Sequence, residues 1–181
     1  MSSRSNSVTG IILKRSDVGE ADRVVTIFTR EEGKITAIAK GCRKLSSSRA
    51  SSLEPGTFSK VYLIKTKSLP ILTQAQLIND FSKAKQNLAS MRKVFEVLEM
   101  LDQLLIEEDA QEQVFALTVA IFEHLSSENV RSAVIRDYLS SIIETLGFGE
   151  RSQIDFSKPL RDFVEEITQH KLKAYAFLTQ P

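Results

Sequence analysis

The sequence predicts an α+β chain: a small five-stranded antiparallel β-barrel over residues 1–80, then an α-helical bundle over residues 81–181. Three observations predict it. Before Asp80 the apolar residues fall in short runs rich in Val, Ile and Thr, bounded by turn formers. After Asp80 they recur every three or four positions, the period of an amphipathic helix. The formal charge changes sign at the same place: residues 1–80 carry 13 basic and 7 acidic side chains, net +6, and residues 81–181 carry 11 and 16, net −5.

The strands are expected at 11–13, 24–28, 35–39, 61–64 and 69–72, separated by turns at 17–20 and 31–33, a Ser-rich stretch at 41–56 and a short turn at Lys67-Ser68. Strands this short cannot shield open edges, so closure into a barrel is the economical arrangement. In the second half, Val94, Leu98, Leu101 and Leu105 form one helical stripe, and Val114, Leu117, Ile121 and Leu125 a second. A third helix carries two adjacent rows, Val134, Tyr138, Ile142 and Leu146 beside Ile135, Leu139 and Ile143, with Gly147 placed to cap it. Two short helical segments, 160–168 and 172–178, follow Pro159.

Composition narrows the class. With 181 residues, 42% hydrophobic and 26% charged, the chain is globular and needs no staple. Residues 1–7 are polar, and no apolar run approaches the roughly 18 residues of a spanning helix, so no membrane partner is expected and the chain is expected to stay in the cytoplasm. One cysteine, Cys42, excludes an internal disulfide, and with only His124 and His170 there is no thiolate or imidazole zinc site; a carboxylate-bound hard cation stays open.

Enzyme signatures are weak. Gly147-Phe148-Gly149 begins like a dinucleotide fingerprint but follows a helix, and Ser152 stands where the third Gly belongs, so it reads as a helix cap and turn. His124 sits near a helix end and His170 has no nucleophile nearby in sequence. Glu107-Glu108 and Glu165-Glu166 read as solvated helix faces. No catalytic residue, cofactor or metal is expected.

Basic residues in the first half are more informative. Lys40, Arg43, Lys44 and Arg49 fall within ten residues, interleaved with Gly41 and Ser46 to Ser48, a composition that can bend around phosphates and donate to them. Lys14, Arg15 and Arg23 come from neighbouring strands, and Lys34 opens the third. Gathered on one side they would form a track for a sugar-phosphate backbone, although a basic half alone suits nucleic acid, acidic lipid or an acidic protein tail equally. Tyr62 is open to two roles, stacking on a base or packing in the core, whereas Phe28 reads as core.

Several segments together resemble one family. Thr9-Gly10-Ile11-Ile12-Leu13-Lys14, Gly19-Glu20-Ala21-Asp22-Arg23, Phe28-Thr29-Arg30-Glu31-Glu32-Gly33-Lys34 and Ala39-Lys40-Gly41-Cys42-Arg43-Lys44 with Ser48-Arg49 are similar, in order and spacing, to the N-terminal OB barrel of the bacterial RecO recombination mediators. Leu53-Glu54-Pro55, the helix ending Leu146-Gly147-Phe148, and the closing Lys171 to Leu178 resemble later parts of the same family, with Ala174 in place of its usual Ser. Many of those relatives carry a cysteine-rich zinc insertion after the Leu-Gly-aromatic turn; here residues 150–158 are short and hold no cysteine, so zinc is not carried over.

The resemblance implies a non-enzymatic mediator of homologous-recombination repair, cytoplasmic and nucleoid-associated. Such a protein binds single- and double-stranded DNA, anneals complementary strands, joins RecR, and engages the acidic C-terminal tail of single-stranded-DNA-binding protein so that recombinase can load. On that reading the DNA-binding candidates are Lys14, Arg15, Arg23, Lys34, Lys40, Arg43, Lys44 and Arg49. Glu20 and Asp22 have an alternative role in pairing with these bases, and Gly19, Gly33 and Gly41 read as turn requirements. Lys171 and Lys173 fit either an acidic tail or a solvated terminal helix. The alternative function is an adaptor of the same pathway with little DNA affinity of its own.

Overall fold

A computed structural model describes residues 5–44, 47–150, 152, 154–155 and 157–173. It divides into two compact units, residues up to 80 together with 107–110, and residues 81–106 together with those from 111 onward. Among the described residues no helix is long and apolar enough to cross a membrane.

The first unit is a closed barrel of β1 (Ser5–Val18), β2 (Asp22–Thr29), β3 (Gly33–Ala39), β4 (Phe58–Ile64) and β5 (Ile71–Asn79), in the order β1-β2-β3-β5-β4. This is the five-stranded OB arrangement, a Greek-key barrel. Its first strand serves two neighbours: Ser5 to Ile11 pair with β4, and Gly10 to Val18 pair with β2. A bulge between Ile12 and Lys14 lets it do so, and Ile11, Ile12 and Leu13 are all buried around that bend. β3 alternates strictly between buried and half-buried, and Val8, Ile12, Val25, Ile27, Ile35, Ala37, Val61, Leu63 and Leu72 fill the interior. Cys42 and Leu53, from the Ser-rich stretch, complete the same core. Toward the end of that stretch a short 3-10 turn at Ser51–Leu53 seats Leu53, and Thr57 and Ser59 hydroxyls donate to the Ser52 carbonyl.

The fifth strand differs from expectation. It runs from Ile71 to Asn79, not 69–72, and most of its residues past Leu72 are exposed. A strand with so little buried surface leaves no apolar alternation to read. Closure against β3 is thin, a single parallel pair Ile38↔Ile71 supported by the Ile38 N–H donating to the Pro70 carbonyl at 2.9 Å.

The second unit carries α1 (Leu88–Leu104), α2 (Glu112–Leu125), α3 (Ser132–Thr145) and α4 (Leu160–Thr168). Asn87 caps α1, its side chain accepting from the Ser90 N–H at 2.9 Å. The α1 stripe is Val94, Val97, Leu98, Leu101 and Leu104; α2 buries Val114, Phe115, Ile121, Phe122 and Leu125. In α3 the Ile135, Leu139 and Ile143 row is buried with Ile142, while Val134, Tyr138 and Leu146 are half-buried. Gly147 (φ +78°) ends α3 as expected: its N–H donates to the Glu144 carbonyl at 3.0 Å and that of Phe148 to the Ile143 carbonyl at 3.1 Å, a Schellman motif.

The chain after α4 is not helical where described. Leu172 is buried, its N–H donates to Glu165 Oε1 at 2.9 Å, and Lys171 Nζ reaches Glu165 Oε2 at 2.6 Å; the remainder of the expected helix at 172–178 lies outside the described residues. Arg161 completes this anchor, donating to Glu165 Oε1 and to the Leu172 carbonyl, both at 3.1 Å. Donors from Lys171, Leu172 and Arg161 hold the Glu165 carboxyl at about 2, well below its ordinary value near 4.5. A carboxyl lowered on folding contributes stability that is complete above about pH 4.5 and is lost as pH falls toward about 2. Glu165→Gln should flatten that part of the profile, which urea unfolding followed across the window will check.

Candidate nucleic-acid interface

The eight basic candidates occupy four different settings once register is known. Arg15 pairs with Val25 and Asp17 with Arg23, so the side chains of Arg15, Asp17 and Arg23 share the face that lines the barrel interior, at the end where β1 and β2 project past it. Lys14 pairs with Thr26, and Thr26 with Thr36, on the outer face. The bulge at Leu13 settles the parity of Lys14 and sends it and Arg15 to opposite sides.

At the projecting end the arginines are bound into an ion-pair network. Asp17 lies 3.1 Å from Arg23 Nε, 3.4 Å from Arg43 Nε and 3.6 Å from Arg15. Glu54 meets Arg15 Nε at 2.9 Å and Arg23 at 3.1 Å. The Arg23 hydrogen bond, with the charges of Arg43 and Arg15, keeps the Asp17 carboxyl below the usual range. Arg23 is 8% exposed, so its geometry is that of a buried cation compensated by two carboxylates. Sequence reading offered Glu20 and Asp22 as the pairing acids; the partners are Asp17 and Glu54, while Asp22 Oδ1 accepts the Gly41 N–H at 2.8 Å.

That last contact begins the attachment of the basic loop. The Arg43 N–H donates to the Ala21 carbonyl at 2.9 Å, its guanidinium to the Gly19 carbonyl at 3.0 Å, and Cys42 is buried in the barrel core. At the other end Arg49 donates to the carbonyls of Lys40 at 2.6 Å, Leu72 at 2.9 Å and Thr73 at 3.3 Å. Arg49 thus ties the end of β3 to β5 at the thin seam of the barrel. Held at both ends, the loop presents Lys40 and Lys44 as exposed cations. An open groove of about 710 Å³ runs between Gly41, Lys44, Ser47 and Ser48 on one side and Thr73 to Ala75 on the other.

Lys34 is not part of this cluster. It opens β3 opposite Phe28, six residues before Lys40, a separation of roughly 20 Å along a strand. Phe28 is fully buried, as expected, and Tyr62 is half-buried with Lys60 Nζ 5.7 Å from its ring centroid. His124 is a connector: its Nε2 accepts the Arg131 N–H at 3.0 Å. Among the described residues no group of three or more His, Cys, Asp or Glu is placed to hold a metal ion.

The first unit is thus an OB-type barrel whose basic loop is attached through Gly41 at one end and Arg49 at the other. Residues 1–81 match the family described as Recombination protein O N terminal, and that part of the chain belongs to it. Over a longer stretch the chain is 27% identical across 138 residues to the DNA repair protein RecO of Syntrophomonas wolfei, covering 76% of this chain and 55% of that one. It is 30% identical across 131 residues to the RecO of Salinibacter ruber, covering 71% and 50%, and 42% identical across 72 residues to that of Frankia casuarinae, covering 40% and 30%. The chain spans about half the length of the first two of these relatives. The resemblance over residues 9–55 lies within the matched residues 1–81, and the relatives it is shared with are named DNA repair proteins.

Proposed function

We infer that this chain serves DNA repair by homologous recombination as a non-enzymatic mediator, binding single- and double-stranded DNA through the phosphate backbone and annealing complementary strands. The observation that carries this reading is the loop 40–49, fixed at both ends on a RecO-type barrel, with Lys40 and Lys44 exposed beside a groove lined by Gly41, Ser47 and Ser48. Annealing requires two repelling backbones to approach, and a cationic surface lowers that repulsion without reading bases. Exposed Lys14, Lys40, Arg43 and Lys44 are the proposed phosphate contacts, and Arg15, Arg23 and Arg49 are proposed to shape the surface from beneath. RecR and the acidic tail of single-stranded-DNA-binding protein are the proposed partners, with recombinase loading as the outcome.

Asp17 and Glu54 cancel much of the arginine charge, and this favours a second reading, an adaptor of the same pathway with little DNA affinity. Titrating a labelled oligonucleotide at several salt concentrations separates the two. Four phosphate contacts on a single strand give log K a slope of about −3 against log salt, from about −0.7 each. A slope near zero would leave the adaptor as the standing account.

A further inference from the structure

The segment Glu107–Ala110 leaves the helical sequence and belongs to the barrel unit. It lies along the edge of β3 that β5 leaves open. Glu107 forms a parallel bridge with Lys34, the Glu108 N–H donates to the Lys34 carbonyl at 2.9 Å, and Thr36 Oγ1 donates to Glu107 Oε1 at 3.3 Å. The fit is close. Gly33, at φ +73°, passes so near the Asp109 backbone that a Cβ there would collide with it. Glu108 holds a left-handed φ of +59°, a conformation that a non-glycine residue keeps only when its surroundings enforce it.

This places three consecutive acidic residues on the strand 2 and strand 3 side of the barrel, the surface with which OB folds hold oligonucleotides. Glu107 and Glu108 line a groove of about 640 Å³ together with Glu31, Glu32, Lys34 and Lys65. Carboxylates seated beside lysines occupy positions that phosphates would otherwise take.

We propose that residues 107–109 form an autoinhibitory strap, an acidic segment that pairs with the β3 edge and competes with DNA phosphates for Lys34. The strap rests on the DNA-binding reading above. Its displacement by a nucleic-acid strand adds Lys34 to the contact surface and extends the site from the basic loop toward the start of β3. The strap thereby sets a threshold: weak or short ligands meet only the loop, while long strands recruit the second site.

The test is oligonucleotide affinity and its salt dependence for the full chain and four variants. E107Q/E108Q should bind about fivefold more tightly at 0.1 M salt, with a slope steeper by about 0.7, the share of one further phosphate. Thr36→Val, which removes a strap contact without changing charge, should move affinity in the same direction by less. Adding Lys34→Ala to either variant should cancel the gain. Unchanged affinity and slope in a folded E107Q/E108Q protein, with the parent binding normally, would overturn the strap alone. A gain that survives Lys34→Ala and is absent in Thr36→Val would also overturn it, as general electrostatics. If neither the parent nor E107Q/E108Q binds DNA, the DNA-binding reading fails and takes the strap with it.

Discussion

Arg49→Ala will lower the stability of the barrel by about 2–3 kcal/mol, the scale of losing hydrogen bonds from a charged donor to partly buried acceptors. The reason is where its three bonds go. β3 and β5 share one paired position, so the carbonyls of Lys40, Leu72 and Thr73 meet a guanidinium at the place where another barrel would have ladder hydrogen bonds. Arg49→Lys should recover less than half of the loss, because a single ammonium on a flexible stem lacks the planar fork that reaches two strands at once. Urea midpoints for the three proteins measure this directly. Equal stability of the parent and Arg49→Ala would mean that the seam is held by the Ile38 and Pro70 contact alone.

Replacing Lys40 and Lys44 together by Ala will weaken single-stranded DNA binding about 25-fold at 0.1 M salt, because removing two phosphate contacts reduces the salt slope by about 1.4. The loss should be the same for every sequence, since phosphates carry no base information. Stability should barely change, as both side chains are exposed and the loop is fixed by Asp22, Arg43 and Arg49. This contrast with Arg49→Ala separates contact from support among residues that look alike in the sequence. A sequence-selective loss would contradict a backbone-only interface.

The two variants also mark the boundary of what could be read without coordinates. Strands β1 to β4 were legible because each carries a short apolar run, buried continuously at the centres of β1 and β2 and on alternating positions in β3 and β4, and α3 because two rows of its face are apolar. β5 was not, because Thr73, Gln74 and Gln76 to Asn79 are exposed and alternate nothing. The basic cluster was legible as composition, but its division of roles depends on register. Arg23 takes a different part from Lys40 because it faces the interior beside Asp17 and Glu54, and Glu54 is far from both in sequence. Had β1 been extended through the bulge to Val18, the Asp17↔Arg23 pairing across the first hairpin would have followed. The meeting of Glu107 with Lys34 had no local signal at all, since Glu107-Glu108 reads equally well as a solvated helical pair.

The chain's one cysteine is Cys42, fully buried and flanked by Gly41 and Arg43 in the basic loop. A thiol in that position is a reporter built into the structure. It can react with a labelling reagent only when the loop lifts from the barrel, so its rate of modification under mild conditions measures the free energy of local opening, separately from that of global unfolding. The same atom therefore registers any strand of nucleic acid that clamps the loop down, as a slowing of its chemistry, with no label needed on the ligand.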